Sequence, residues 1–215
     1  MPRVLLTRAR AQAEGFAALL RAQTSLEPII APMQEMRDLP VEIDLSGIAA
    51  LAFTSKNGVE AFARKSGIRL PAYCVGEATA ARARALGFEA MAAAGNAQAL
   101  KQILPRSGVL HLHGQHVARA LGVPSLPIYD QVALPLDMAA RGLLAAGDIS
   151  AAAFFSPRSA RLFVQSWQAG WPDIPRLYAL SQAVATPLAP LGAVRICPSP
   201  DAKSMLRLLS ADYPA

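Results

Sequence analysis

Short apolar runs alternate along the chain with segments whose Leu, Ala and Phe recur at helical spacing. The runs predict strands at Val4–Thr7, Pro28–Ala31, Ala49–Thr54, Ala72–Val75, Val109–His113, Ser125–Tyr129, Ala151–Phe155, Arg176–Ala179 and Ala193–Cys197. Helical spacing predicts Gln12–Ala22, Asn57–Arg64, Ala78–Leu86, Ala97–Leu104, Val117–Leu121, Leu136–Ala145, Ser159–Gln165, Gln182–Leu188 and Ala202–Leu209. Strands that are apolar throughout and separated by helices belong to parallel sheets covered on both faces, so the class is α/β. Helix boundaries are marked as well. Ser55, Ser156 (before Pro157) and Asp201 stand at N-cap positions, and Gly87, Gly122, Gly147 and Gly192 follow helices as left-handed stops.

The pattern repeats. Phe53-Thr54-Ser55-Lys56-Asn57-Gly58-Val59-Glu60-Ala61-Phe62 has a counterpart in Phe154-Phe155-Ser156-Pro157-Arg158-Ser159-Ala160-Arg161-Leu162-Phe163. Tyr73–Ala80 is matched by Tyr178–Ala185, and Arg3–Arg8 by Gly108–His113. Two similar small α/β domains are expected, and the linear repeat alone divides the chain near Pro105–Gly108. Pro32 with Met33–Met36, and Val132–Pro135, are the segments expected to pass between the two bodies.

Composition narrows the function. The 215 residues are 53% hydrophobic and 17% charged, which excludes a disordered chain or a coiled coil. No apolar run approaches the roughly 18 residues that span a bilayer, and the first eight residues carry no secretory h-region, so a cytoplasmic protein is expected. Two cysteines, Cys74 and Cys197, are too few for a disulfide framework. The net charge of +6 comes mostly from arginines dispersed along the chain, and aromatics make up only 6%. Nucleic-acid binders concentrate their charge with aromatics interleaved. A dispersed surplus suits a small anionic ligand instead.

In open α/β sheets ligands bind beyond the carboxyl ends of the strands, where loops meet helix N-termini. That rule selects Thr7-Arg8, Ser55-Lys56-Asn57, Gly76-Glu77-Ala78-Thr79, His113-Gly114, Ser156-Pro157-Arg158 and Ser181-Gln182. Each could simply cap a helix. Six such loops opposed across two domains point to a polyanion cleft lined by unpaired N–H groups. His111, His113 and His116 have the look of a metal set, but no carboxylate or cysteine lies near to complete it, so no metal is expected and His111 reads as a core histidine. There is no Gly-x-Ser-x-Gly, Walker loop or Gly-x-Gly-x-x-Gly. Tyr129, in Pro127-Ile128-Tyr129-Asp130-Gln131, is the one ionisable aromatic at an expected domain crossing. From the residues alone, the chain is a two-domain ligand-binding protein.

The assembled motifs resemble the uroporphyrinogen-III synthase family over nearly the whole chain. The resemblance rests on Leu6-Thr7-Arg8, Phe53-Thr54-Ser55-x-Asn57-Gly58-Val59-Glu60-Ala61-Phe62, Val75-Gly76-x-x-Thr79-Ala80 and Gly95-Asn96-Ala97-x-x-Leu100. It continues through Ile128-Tyr129-x-x-Val132-Ala133, Phe155-Ser156-Pro157 and Pro198-Ser199-Pro200. It implies two flavodoxin-like domains joined by a two-stranded antiparallel connector, with the repeat exchanged between them. One domain would hold residues 1–31 and 135–215 and the other 36–129, with 32–35 and 130–134 as connector. It implies cyclisation of hydroxymethylbilane to uroporphyrinogen III with loss of water and inversion of ring D through a spiro-pyrrolenine, without a cofactor. Substrate binding by Thr7, Arg8, Ser55, Lys56, Asn57, Gly76, Thr79, His113, Gly114, Ser156, Arg158 and Ser181 would follow. Lys56, Arg8 and Arg158 would meet some of the substrate's eight carboxylates. Tyr129 matches the family's tyrosine proposed to assist departure of the hydroxyl; a phenol titrates near 10 in water and can donate its proton at neutral pH. The second Gly-x-x-Thr-Ala loop departs from the pattern as Ser181-Gln182-Ala183-Val184-Ala185. A monomer is expected, with transient hand-over of substrate from hydroxymethylbilane synthase and with neither nucleic acid nor membrane as partner. The competing reading is a non-catalytic two-domain module for a carboxylate-rich or sugar ligand; a partner-binding structural protein is a third.

Overall fold

The computed structural model describes residues 1–116, 120–172 and 174–215. The chain forms two units, Met1–Glu35 with Val132–Ala215, and Met36–Gln131. Pro105–Gly108, where the linear repeat would divide the chain, lies inside the second unit.

The first unit is built on β1 (Arg3–Leu6) and β2 (Glu27–Ile30), with later strands from the C-terminal half. Strand β3 (Gln34–Asp38) begins here and passes into the second unit. The second unit continues with β4 (Ala50–Phe53), β5 (Ala72–Cys74), β6 (Ala90–Ala92), β7 (Val109–Gly114) and β8 (Ser125–Ala133). Then β9 (Ala151–Phe154), β10 (Arg176–Ala179) and β11 (Val194–Ile196) complete the first. The helices are α1 (Arg10–Gln23), α2 (Lys56–Lys65), α3 (Glu77–Ala85), α4 (Ala97–Ile103), α5 (Met138–Ala145), α6 (Pro157–Ser166), α7 (Gln182–Ala185) and α8 (Ala202–Asp212).

In the first unit the sheet order is β11-β10-β9-β1-β2, with every neighbouring pair parallel. Numbered along this unit, that is the flavodoxin order 2-1-3-4-5. Successive side chains of a strand point to opposite faces, and both faces here are buried. Leu5, Ala152, Phe154, Leu177 and Ala179 join Ala140, Leu144, Ala160 and Phe163 of α5 and α6. Val4, Leu6, Ala151, Ala153 and Tyr178 join Phe16 and Leu20 of α1 and Met205 and Leu209 of α8. The alanines of β9 therefore let helices close in on both sides of a central strand.

The second unit has the order β3-β8-β7-β4-β5-β6. Strands β8, β7, β4, β5 and β6 are parallel in register and reproduce the same 2-1-3-4-5 order in circularly shifted form. Strand β7 stands where β1 stands in the first unit, and β4 where β9 stands. Phe53, Phe62 and Phe88 pack with centroids 5.9–6.2 Å apart on the face covered by α2 and α3. Leu100 of α4 joins Ala50, Ala52 and Val109 on the other face.

Two strands carry no apolar run that would predict them. Gln34–Asp38 forms an edge strand although only Met36 in it is apolar, held in the second unit by a bidentate Arg64–Asp38 pair (3.0 and 2.6 Å) and by Lys65 Nζ donating to Leu39 O. Ala90–Ala92 forms another edge strand, too short and too alanine-rich to show period two. Strand β8 runs on to Ala133, past the expected end at Tyr129. The helix expected at Gln182–Leu188 gives way to a 3₁₀ turn at Thr186–Leu191, where Pro187 and Pro190 each lack the N–H that α-helical bonding needs. The helix expected at Val117–Leu121 falls largely on 117–119, outside the described residues.

The expected caps are formed: Ser55 Oγ accepts from Gly58 N at 3.1 Å, Ser156 Oγ from Ser159 N at 3.1 Å, and Asp201 Oδ1 from Ser204 N at 2.7 Å. Gly87 (φ 87°) follows α3 in the left-handed conformation that only glycine adopts cheaply.

His111, on central strand β7, is 1% exposed and shares a hydrogen bond with Thr54 Oγ1 at 3.2 Å. Burial, and secondarily the neighbouring His113, push its pKa from 6.5 down to about 4. The folded state thus keeps the ring neutral while the unfolded chain takes up a proton, so stability falls as pH drops from 6.5 to 4. The loss is about 3 kcal/mol at full extent. The repeat places Leu6 opposite His111, so His111→Leu borrows the chain's own solution. Urea unfolding at pH 7 and pH 4 is expected to show a markedly smaller acid loss in the variant than in the wild type.

Candidate functional site

In the order 2-1-3-4-5 the strand order reverses between the first and third strands, and the loops leaving their carboxyl ends part there to leave a crevice. In the first unit this point lies between β1 and β9, which send out Thr7-Arg8 and Phe155-Ser156-Pro157-Arg158. In the second it lies between β7 and β4, which send out His113-Gly114 and Thr54-Ser55-Lys56-Asn57. Ser181 follows β10 and Gly76 follows β5, each one strand further out. All twelve loop residues chosen from sequence lie at these carboxyl edges or in the helical turns that start there.

Around the second unit's switch point the side chains interlock. Ser55 Oγ lies 2.8 Å from Tyr129 Oη while also capping α2 through Gly58 N. Tyr129 is 8% exposed, so its phenol is placed by packing as well as by the serine. Gly114 lies against its ring: a Cβ at 114 would fall 2.7 Å from Cε2 and 2.8 Å from Cζ. A register irregularity between His113 and Gly114 sets Gly114 opposite Tyr129, and Gln115 N donates to Tyr129 O at 2.8 Å. His113 Nδ1 is 2.6 Å from Gly114 O. Lys56 is exposed and Asn57 half-buried on the first turn of α2. Gly76 has a close-packing role, since a Cβ there would come within 3.3 Å of Gly95 Cα; Thr79 is 6% exposed in the first turn of α3.

Around the first unit's switch point, Thr7 is fully buried and its hydroxyl donates to Ala153 O at 2.9 Å, which ties the end of β1 to β9. The Arg8 guanidinium lies over the Phe155 ring, 4.4 Å from its centroid, and Nη2 donates to Gln12 Oε1 at 3.0 Å. Its Nε is buried and has no hydrogen-bond partner among the described residues, and burial lowers its pKa. Ser156 Oγ caps α6 and meets Ser159 Oγ at 2.7 Å. Arg158 is half-buried on the first turn, and Ser181 precedes α7 without a side-chain cap bond. Val184, at the position of Thr79 in the repeat, is 3% exposed, so the lost hydroxyl is replaced by core packing.

Ser159 and Gln34 also belong to this constellation, although the carboxyl-edge rule and the motifs do not single them out; Phe155, which opens the Phe155-Ser156-Pro157 motif, joins it through its ring. Phe155 is the counterpart of Thr54 in the repeat, and Ser159 of Gly58, so comparison of the two halves carries the signal. Gln34 sits on the polar edge strand β3. Both cysteines are buried, and burial pushes the Cys74 thiol up to about 11, far from a nucleophile's range. Among the described residues no group of three His, Cys, Asp or Glu side chains is placed to hold a metal ion.

The Gly114 contact yields a test. Gly114→Ala must displace the Tyr129 ring and is expected to cost about 1–3 kcal/mol in urea unfolding, the range of overpacked cores. Gly15→Ala, in the interior of α1 with open space at its Cβ, is expected instead to stabilise by up to about 1 kcal/mol.

A family model described as uroporphyrinogen-III synthase HemD matches residues 14–207. No curated protein sequence matches the chain significantly. Among solved structures, the uroporphyrinogen-III synthetase of Helicobacter pylori superposes with a TM-score of 0.69 at 17% identity, covering 98% of this chain and 99% of that one. A mutant uroporphyrinogen III synthase of the extremely thermophilic bacterium Thermus thermophilus gives a TM-score of 0.58 at 17% identity, covering 98% of each chain. At such identity these two likenesses concern the fold. The family match runs from α1 to α8 through both units, and by it the chain belongs to the uroporphyrinogen-III synthase family, as a hydro-lyase of tetrapyrrole biosynthesis.

Proposed function

We propose that the chain cyclises hydroxymethylbilane to uroporphyrinogen III with Tyr129 as the general acid, Ser55 as its hydrogen-bond partner, and the two carboxyl-edge loop sets as receptors for the substrate's carboxylates. The observation that carries the residue assignment is the 2.8 Å bond between Ser55 Oγ and Tyr129 Oη. A serine hydroxyl has one proton to give and two lone pairs to receive with. Ser55 receives from Gly58 N, and in this reading its own proton turns to the phenol oxygen, although either hydroxyl can donate across the bond. The phenol proton is then free for the departing hydroxyl, and the developing phenolate keeps a donor.

The chemistry balances without an added group. The terminal hydroxyl leaves as water by taking the Tyr129 proton, which leaves an azafulvenium cation. The substituted α-carbon of ring D attacks that cation to form a spiro-pyrrolenine. Fragmentation and reclosure at the other α-carbon turn ring D round, and loss of the ring proton restores aromaticity and reprotonates the phenolate. The protein's share is mainly positional. The helix starts at Ser55 and Ser156 offer N–H groups to carboxylates. Arg8 Nε, without a partner among the described residues, supplies a directed donor, and Lys56 supplies charge at the surface. Close packing around Tyr129 and Gly114 would limit the access of water to the cation.

We further place the reaction in the cytoplasm, with the chain acting as a monomer, unassociated with nucleic acid or membrane, and taking its substrate in transient hand-over from hydroxymethylbilane synthase. No helix among the described residues is long and apolar enough to cross a membrane. The substrate's tendency to close by itself to the type I isomer supports rapid transfer.

The deciding experiment incubates the full chain with hydroxymethylbilane and separates type I from type III isomers by chromatography. Type III product is expected; type I alone at the uncatalysed rate would reject the reading in favour of a binding module. In the same assay Tyr129→Phe is expected to slow turnover severalfold to about 100-fold, the low end of general-acid effects. Turnover at the wild-type rate would remove Tyr129 from the mechanism.

A further inference from the structure

The correspondence between the units extends beyond the loops. Strand β2 pairs with β1 so that Ile30 lies opposite Leu6, and β8 pairs with β7 so that Ser125 lies opposite His111. Leu6 and His111 are equivalent in the repeat. Counting on from Ile30 and Ser125, Pro32-Met33-Gln34 falls on Pro127-Ile128-Tyr129. Gln34 therefore occupies in the first unit the place that Tyr129 occupies in the second. The side chains agree. Tyr129 Oη meets the N-cap Ser55, and Gln34 Nε2 donates to the equivalent N-cap Ser156 at 3.3 Å, with Ser159 Oγ at 3.5 Å.

The two differ in what is left over. A phenol has one polar atom, which in Tyr129 meets Ser55 and keeps its proton for the departing hydroxyl. A carboxamide has two, and the second, Gln34 Oε1, is buried with no hydrogen-bond partner among the described residues. A buried acceptor left so is costly unless something donates to it. Arg8 Nε, on the loop stacked against Phe155 beside Ser156, is the matching donor without a partner among the described residues. The substrate complements both. Its eight carboxylates are acceptors for Arg8, whereas its pyrrole N–H groups are the donors that an acceptor can use.

We propose that Gln34 is a substrate-binding residue of the first unit, holding Ser156 with its amide N–H and accepting a pyrrole N–H of the tetrapyrrole at Oε1. The proposal rests on the functional reading above and assigns to it a residue that neither the motifs nor the family match selects. It gives a use to the half of the Gln34 amide that has no partner among the described residues.

The test uses the full chain with Gln34→Met and Gln34→Glu, reading thermal midpoint, KM and kcat for hydroxymethylbilane. Gln34→Met removes the unpaired acceptor and keeps the volume. Its midpoint is expected to match or exceed the wild type, while KM rises about tenfold, the equivalent of one hydrogen bond, and kcat stays within about twofold. Gln34→Glu keeps the shape but sets a like charge beside an octa-anion. Its KM is expected to rise further, and that excess to shrink with added salt. A lowered midpoint with wild-type KM in Gln34→Met would make Gln34 merely structural and overturn the proposal. If Gln34→Met does not fold, a wild-type KM in Gln34→Glu overturns it equally. Failure of the wild type to make type III isomer would instead overturn the functional reading.

Discussion

A serine hydroxyl at the head of a helix is the fixed point on which each unit arranges its polar residues. Ser55 and Ser156 cap α2 and α6, and that duty holds their oxygens in place. Each hydroxyl has capacity beyond its cap. In one unit the remainder goes to Tyr129 and in the other to Gln34 and Ser159. The cap joins fold and function through a single atom, because losing it would fray the helix and release the group expected to meet substrate.

The constraint behind this arrangement is the parallel sheet. Within each unit the strands that feed the candidate loops end at one edge of its sheet, so helix N-termini, glycines and hydroxyls gather there by topology. Divergence between the units then tunes the two edges. Where the second unit sets Thr54 against His111, the first sets Phe155 and Leu6, and the aromatic face so gained carries the Arg8 guanidinium. A neutral hydrogen-bonded pair in one unit is thus replaced by a cation on a ring in the other. Thr7 and Val184, the latter the counterpart of Thr79 in the repeat, are instead absorbed into packing.

Much of the fold was legible because its signals are local. Apolar runs such as Val4–Leu6 and Ala151–Phe154 need burial on both faces, and Ser55, Ser156 and Asp201 announce the helices that follow. The pairing of Leu6 with Ala153 was not local, nor was the division of units that it entails. Strand β3 was hidden because an edge strand needs no apolar alternation, and Gln34 was hidden with it. The loops around the switch points could be named from residue types, but the bond between Ser55 and Tyr129 joins positions far apart in sequence, and the Gly114 contact depends on a bulge. Resemblance to a family is what proposes a role for Tyr129; the packed structure gives it Ser55 as a partner.

Receipt of the polycarboxylate tetrapyrrole at both carboxyl-edge switch points, as proposed above, can be read residue by residue. The most direct measurement is an amide ¹H–¹⁵N shift map of the full chain during titration with uroporphyrin III, a stable octacarboxylate. Saturable shifts are expected at residues 7–9, 55–58, 113–115, 156, 158 and 159, with the loops at 44–48 and 67–70, at the opposite ends of the strands, unmoved. Shifts confined to those opposite loops, or none at saturating ligand, would contradict it.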